Sequence, residues 1–456
     1  MNTTMTTLPD LETIAASLRN GLLSCTDLVS VAIESRSRSN DPVGPYVAWN
    51  ADAAKRQAAA VDLAFKSGFD SGPLQGIPAS VKDLFGVHGF PTYAGTSLPL
   101  PTCWQNEGTI VSRLRKQMCV VMGKTHMVEL AFGGLGVNAH WGTPRNPRDS
   151  IAHRVPGGSS SGAGVGLVEG STLFALATDT AGSVRIPASM TGTAGLKTTV
   201  GRWPTDGTVP LSSTFDSIGV LARSVRDLVF VFDAIEESLG REDKVRARPL
   251  STCRLGVPER MFRENLSIGI DNAFERGLRE LERAGAKLLP FEMTPADEAY
   301  GIFRQGGLAG AEVAAFIEDA LPDRMESLDP TVQDRVRSAS MLSATEYISR
   351  KRRLLELSRI ANCLASHVDA LVVPTVALSP PLLSELADLD NYRRCNMLAL
   401  RNTSVANLLS LCAMTFPVGL DGLGMPTGMQ LVGRAGSDSV LLSIGLEAEK
   451  HVDQFR

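Results

Sequence analysis

Two short segments of this sequence concentrate hydroxyl groups on a backbone stripped of bulk. Pro156–Gly166 reads PGGSSSGAGVG and places Ser159, Ser160 and Ser161 in a glycine-rich bend. Glycine dominates where the chain must turn tightly or approach another group closely. Thr178–Pro187 reads TDTAGSVRIP and puts Ser183 directly after Ala181 and Gly182. Small residues before a serine suit an oxyanion hole, because successive N–H groups can converge on an oxygen only where side chains do not crowd it. Upstream, Gly76–Asp83 reads GIPASVKD, so Lys82 follows an apolar, strand-like run. Burial there would lower its pKa. A serine hydroxyl is a weak nucleophile until a base takes its proton, and a neutral lysine can be that base.

Each feature alone has a blander reading. A glycine-rich loop is more often a turn or a phosphate cradle, a lysine after a strand is usually a solvated end, and a serine after glycine is usually a helix cap. The phosphate reading is weak here. No Lys-Ser or Lys-Thr follows the glycines as a P-loop requires, and no acidic residue stands where a dinucleotide site expects one.

The elements that must position these groups follow from periodicity. Leu11, Ile14 and Leu18 recur at helical spacing before Gly21, Ser24 and Asp27 form a capping-box-like start for a helix to about Arg36, and Ala51–Lys66 reads as a third helix. Strand-like runs at Ile77–Val81, Val120–Met122, Thr172–Ala177 and Ala370–Val373 alternate with helical stretches such as Thr109–Gln117. Ile270–Ala286 reads as an amphipathic helix before a strand at Lys287–Pro290, and Glu312–Arg359 as mostly helical. Such alternation predicts an α/β fold, a sheet covered by helices. The charged stretch Glu236–Pro249 reads as a surface excursion. No repeat or flexible linker divides the chain. The expected organisation is an N-terminal helical segment, 1–70, packing on a single domain, 71–456.

Composition excludes several classes. The chain has 456 residues, 43% hydrophobic and 21% charged, with a formal net charge of −4. That gives no basic field for nucleic acid or acidic lipid. No apolar run approaches the length of a membrane span, and Met1–Asp10 lacks the pattern of a signal peptide. The seven cysteines are dispersed with no CxxC pair, which predicts reduced thiols in a cytoplasmic protein. The pattern calls for no metal and no cofactor.

Together and in this order, the segments closely resemble the amidase signature family over nearly the whole chain. GPLQGIPASVKDLFGVHGFPTYAG (Gly72–Gly95) is similar to the family's lysine segment, and ELAFGGLGVNAHWGTPRNP (Glu129–Pro147) to its pocket segment. PGGSSSGAGVG and TDTAGSVRIPASMTGTAGLKTTVGR resemble its core signature, within about 76–220, while DALVVPT (Asp369–Thr375) and GMQLVG (Gly428–Gly433) resemble its closing strands. The resemblance implies a central mixed sheet covered on both sides by helices. It implies Ser183 as nucleophile, Ser159 as a bridging serine on a cis peptide bond, and Lys82 as the base. Within the run of three serines, loop alignment selects Ser159 over Ser160.

By the same resemblance, the N–H groups of Thr180, Ala181, Gly182 and Ser183 form the oxyanion hole. Ala131, Phe132, Gly133 and Gly134 line the acyl pocket. Asp179 and Arg185 support the serine pair, a role compatible with a purely structural ion pair, and Asp216 is structural. An exposed lysine, with a pKa of about 10.4, is nearly all protonated at neutral pH. Lys82 must therefore be buried to act. Two positions depart from the commoner pattern: Ser161 and Ala181 each replace a glycine. Neither removes a catalytic hydroxyl.

The implied activity is hydrolysis of a carboxamide C–N bond in a small molecule, through an acyl-enzyme on Ser183, releasing ammonia or an amine. Family members are often dimers, so a homodimer is possible. Two rivals remain: the glutaminase subunit of a tRNA-dependent amidotransferase, and a non-catalytic binding protein on the same fold.

Overall fold

The N-terminal helices begin where their capping chemistry places them. The Asp10 carboxylate accepts the Thr13 N–H, and the Ser24 hydroxyl accepts the Asp27 N–H, each satisfying a donor that the first helical turn leaves unpaired. The structure, a computed structural model, describes residues 9–241 and 243–452. Residues 1–8 of the expected N-terminal segment lie outside the described residues. The strands are β1 (Tyr46–Trp49), β2 (Pro78–Lys82), β3 (Val120–Thr125), β4 (Phe174–Asp179), β5 (Ala194–Lys197), β6 (Ser217–Ala222), β7 (Arg254–Pro258), β8 (Lys287–Phe291), β9 (Ala370–Pro374), β10 (Cys412–Leu420) and β11 (Pro426–Gly433). The helices are α1 (Leu11–Arg19), α2 (Cys25–Ser37), α3 (Ala51–Lys66), α4 (Thr109–Lys116), α5 (Ser161–Glu169), α6 (Arg185–Thr191), α7 (Val225–Ser238), α8 (Ile270–Arg283), α9 (Pro295–Arg304), α10 (Ala309–Ala320), α11 (Pro330–Ser340), α12 (Ala344–Ala365), α13 (Leu389–Leu408) and α14 (Asp438–Ala448).

The strands form one mixed sheet in the order β1-β3-β2-β4-β6-β5-β10-β11-β9-β7-β8. β2 runs parallel to both β3 and β4, whereas β4–β6, β5–β6, β5–β10, β10–β11 and β9–β11 are antiparallel. Successive side chains of a strand point to opposite faces, and β4 shows both faces covered. Phe174 and Leu176 pack in the cluster that holds Leu228 and Val231 of α7. Ala175 and Ala177 pack with Ala163 and Leu167 of α5 and Ala188 of α6. This is the expected α/β architecture with helices on both sides.

Three details differ from the sequence reading. The first seventy residues include a strand, β1, paired antiparallel to β3. β3 does not stop at Gly123 but runs on to Thr125, and the glycine lets β1 cross closely: a Cβ at Gly123 would sit 2.4 Å from the Ala48 carbonyl oxygen. Glu236, read as part of a surface stretch, is buried. It accepts hydrogen bonds from Arg202 and from the Trp203 indole. Among the described residues no helix is long and apolar enough to cross a membrane.

Candidate active site

The site forms at the carboxyl ends of two adjacent parallel strands. β2 ends on Lys82 and β4 ends on Asp179, in neighbouring positions in the sheet. Ligand sites of open α/β sheets gather at such carboxyl ends. Two loops close over them: the glycine–serine bend leading into α5, and the turn Thr180–Ser183 leading into α6.

Lys82 is fully buried. Its Nζ lies 2.7 Å from Ser159 Oγ and 3.1 Å from Thr178 Oγ1. Burial lowers its pKa from the ordinary lysine value to about 7, against the opposing pull of the Asp216 and Asp179 carboxylates. A neutral amine has one lone pair and can accept the Ser159 hydroxyl proton, while an N–H is donated to Thr178. Nothing in the sequence singles out Thr178, whose hydroxyl carries no motif of its own.

The peptide bond between Gly158 and Ser159 is cis. The contact to Lys82 distinguishes Ser159 from its neighbours. Ser160 Oγ is buried with no hydrogen-bond partner among the described residues, while the Ser160 N–H donates to the Ser183 carbonyl oxygen at 3.3 Å. Ser161, the departure from the commoner glycine, faces His126, with 3.0 Å between its Oγ and His126 Nδ1. His126 Nε2 lies 2.8 Å from the Gly142 carbonyl, which can only accept. Nε2 therefore carries the proton and Nδ1 accepts from Ser161. Burial keeps this ring neutral, with its pKa down at about 4.

Ser183 is 4% exposed and opens onto a cavity of about 550 Å³. Its hydroxyl makes no hydrogen bond to a protein group among the described residues, so Ser159 and Ser183 are neighbours in the site without a direct bond. The N–H groups of Thr180, Ala181 and Ser183 likewise have no protein acceptor among the described residues. The fourth expected oxyanion donor, the Gly182 N–H, instead donates to Asp179 Oδ1 at 2.8 Å. Gly182 has φ +132, and a Cβ there would come within 2.1 Å of Thr403 Oγ1. The turn is therefore closed to any larger residue. Ala181, the other departure, is held from behind by Thr403, whose hydroxyl donates to the Ala181 carbonyl at 2.8 Å.

Beneath the turn lies a fully buried ion pair. Arg185 Nη2 and Nε approach the Asp179 carboxylate at 2.8 and 3.0 Å. Asp179 also accepts the Val184 N–H and an Asn407 amide hydrogen. Arg185 reaches on to the Thr403 carbonyl and to Asn407 and Gln430 of α13 and β11. Burial would raise the Asp179 pKa, but Arg185 outweighs it and holds it at about 2. A buried pair is tolerated when hydrogen bonds satisfy the remaining lone pairs and protons, as they do here. Asp216 accepts the Thr180 hydroxyl at 2.5 Å and the N–H groups of Leu211 and Ser212. Burial pushes its pKa up to about 6 against those bonds.

Ala131, Phe132 and Gly133 line the cavity, together with Leu211, Phe215 and Phe303. Gly134, the fourth expected pocket residue, packs against Leu400 and gives its N–H to Asn396 Oδ1 at 2.7 Å. The cavity's other side comes from α9 to α13. Arg335 and Met397 stand there with nothing in the sequence to mark them.

Comparison with known proteins places the chain in a family. The family model described as Amidase matches residues 27–442. A 2-amino-5-chloromuconic acid deaminase of Comamonas testosteroni is 48% identical over 441 residues, covering 96% of this chain and 95% of that protein. A glutamyl-tRNA(Gln) amidotransferase subunit of Legionella pneumophila (strain Corby) is 27% identical over 475 residues, covering 96% of each. A crystal structure of an amidase superposes with a TM-score of 0.88 at 31% identity, covering 98% of this chain and 100% of that one.

Proposed function

Because this chain belongs to the amidase family and hydrolyses amide C–N bonds, we propose that it does so through an acyl-enzyme on Ser183. The carrying observation is the 2.7 Å contact between Lys82 Nζ and Ser159 Oγ, with the lysine buried and held near pKa 7. Neutral Lys82 takes a proton from Ser159. Ser159 turns to take one from Ser183 as substrate enters. The Ser183 oxygen then attacks the carbonyl carbon. Negative charge on the carbonyl oxygen is met by the N–H groups of Thr180, Ala181 and Ser183, which have no competing protein acceptor among the described residues. The Gly182 N–H holds Asp179 and so fixes the turn that aims the others. Lys82 returns its proton through Ser159 to the leaving nitrogen. Water, activated the same way, releases the acid.

The Asp179–Arg185 pair supports the turn and touches no reacting atom. The dispersed, unpaired cysteines fit a cytoplasmic setting. The amidotransferase subunits are more distant relatives than the deaminase, which favours a stand-alone enzyme over a glutaminase subunit.

The test is to trap the intermediate. With a primary amide substrate and added hydroxylamine, the enzyme should form the hydroxamic acid. Mass spectrometry of quenched enzyme should place the acyl adduct on the peptide bearing Ser183. An adduct elsewhere, or turnover with neither adduct nor hydroxamate, would sink the acyl-enzyme reading.

One observation favours a second reading of the substrate. The 48%-identical relative is named a deaminase of a 2-amino acid. On that reading the enamine tautomerises to its imine, water activated by the same base adds to that carbon, and ammonia leaves as a carbonyl forms. Ammonia release from 2-aminomuconate-type compounds, measured beside primary amides, separates the two.

A further inference from the structure

We propose that the substrate carries a carboxylate and that Arg335 receives it, a specificity that rests on the acyl-enzyme reading above. Arg335 lies on α11 and lines the same cavity as Ser183. Its position is fixed by Phe132, another lining residue. The guanidinium carbon stands 3.6 Å from the centre of the Phe132 ring, and Nη1 donates to the Phe132 carbonyl at 2.5 Å. Stacking and a hydrogen bond together hold the group in one orientation.

The charge is not balanced by the protein. No carboxylate pairs with Arg335 among the described residues. The one acidic residue lining the cavity, Asp334, points to solvent beside it. Three more arginines line the cavity. Arg350 is paired with Glu346 at 2.7 Å and Arg393 with Asp390 at 3.4 Å, whereas Arg304 has no carboxylate partner among the described residues. The cavity lining therefore carries an excess of positive charge, in which Arg335 and the more exposed Arg304 have no carboxylate partner among the described residues.

A largely desolvated cation without a counter-ion is costly unless a ligand supplies one. A guanidinium has five N–H donors, and the Phe132 carbonyl takes one. The rest suit two parallel hydrogen bonds to a planar carboxylate. Much of the rest of the lining that Ser183 and Arg335 share is apolar, with Phe303, Met397 and Leu400 among it. The substrate class is thus a monoamide of a dicarboxylic acid: a cleavable C–N bond at Ser183, a short hydrocarbon span, and a carboxylate at Arg335.

The experiment measures kcat/KM by ammonia release for succinamate, glutaramate and adipamate against butyramide, valeramide and hexanamide. The wild type should prefer the best acid monoamide over its neutral match by roughly 10–100-fold, the range of one charge-assisted pair. Arg335→Met should bring that ratio close to one, with the larger loss falling on the acid series. Far-ultraviolet circular dichroism shows that the variant is folded. Arg335→Lys should keep part of the preference at a raised KM, because a point charge cannot make the paired contact.

A wild type that prefers neutral amides overturns the proposal, as does a preference untouched by Arg335→Met or an equal loss on both series. Binding supplies a readout free of turnover. In a Ser183→Ala background, succinate, glutarate or adipate should raise Tm, and Arg335→Met should abolish the shift. If no amide is turned over, the acyl-enzyme reading falls by itself. The dicarboxylate shift then still decides the role of Arg335: its presence supports the proposal and its absence overturns it.

Discussion

The two sides of the cavity are built on different principles. On the floor, the charged side chains of β2, β4 and the two loops are closely partnered, and the groups left without a protein partner among the described residues include the Ser183 hydroxyl and three N–H groups of the turn. Lys82 is held by two hydroxyls, Asp179 and Arg185 satisfy each other with help from Asn407 and Gln430, and a Cβ at Gly182 would strike Thr403. The far wall, from α9 to α13, is looser. It carries arginines without carboxylate partners among the described residues and, at Met341, a methionine 84% exposed. A reacting centre must be held within a fraction of an ångström, so the floor is over-determined. A wall that only selects among substrates is free to differ. Changes to the floor should therefore remove activity toward every substrate, while changes to the wall should re-rank substrates.

The largest effect that can test this contrast is at Ser183, the proposed nucleophile. Ser183→Ala should lower kcat by roughly 10⁴–10⁶-fold for all amides alike. Far-ultraviolet circular dichroism should be unchanged, because the hydroxyl makes no hydrogen bond to a protein group among the described residues. A variant that lost one substrate and kept another would erase the distinction between floor and wall.

Lys82 comes next. Lys82→Met should cost roughly 10²–10⁴-fold in kcat, the usual contribution of a general base. Lys82→Arg should not rescue it, because a guanidinium stays protonated. The sign of the pH dependence follows from the neutral form being active. In the wild type kcat/KM should rise with pH through about 7, where Lys82 loses its proton. A profile flat across neutral pH would remove Lys82 from the role.

A smaller effect on rate and a larger one on stability belong to the pair beneath the turn. Asp179→Asn leaves Arg185 charged and buried without its carboxylate, which should cost about 3–5 kcal/mol in urea unfolding. The wild-type pH dependence has a definite direction. Asp179 is held at about 2, below its ordinary value of 3.8. Its stabilisation is therefore complete above the ordinary value and is lost as the pH falls through about 2. In Asp179→Asn that acid-dependent component should disappear. An unchanged acid limb would show that Arg185 is satisfied by Asn407, Gln430 and the Thr403 carbonyl alone.

The same division explains which parts of the molecule are legible in the amino-acid sequence. Ser159 and Ser183 lie in segments of unusual composition and Lys82 follows an apolar run, all local in the chain, and the family resemblance is what groups the three. The same holds for α1 and α2, whose caps are spelled out at Asp10 and Ser24. What stays hidden depends on partners distant in the chain. The strand β1 exists because β3 pairs with it across Gly123. Glu236 reads as surface because its partners, Arg202 and Trp203, lie more than thirty residues away. Family resemblance assigns the Gly182 N–H to the oxyanion hole, but its bond to Asp179 depends on how the turn closes. Arg335 has no motif, since what sets it apart is the lack of a carboxylate beside it among the described residues.

The smallest expected effect is the one that separates neighbours. Ser159 and Ser160 are adjacent, both buried and chemically identical; loop alignment selects Ser159, and the fold supplies a physical difference between them. Ser159 Oγ touches Lys82, while Ser160 Oγ has no partner among the described residues. Ser160→Ala removes a buried hydroxyl that already lacks a hydrogen bond, so the change should be neutral or slightly stabilising, within about 1 kcal/mol. Activity should stay within about three-fold, because the Ser160 N–H that reaches the Ser183 carbonyl is a backbone group and survives the substitution. Ser159→Ala breaks the path between Lys82 and Ser183 and should cost roughly 10²–10⁴-fold. Steady-state ammonia release from the two variants, side by side with urea melts, measures the difference. If both variants lose activity equally, the path runs through Ser160 as well, and the relay needs two serines where the structure supplies one.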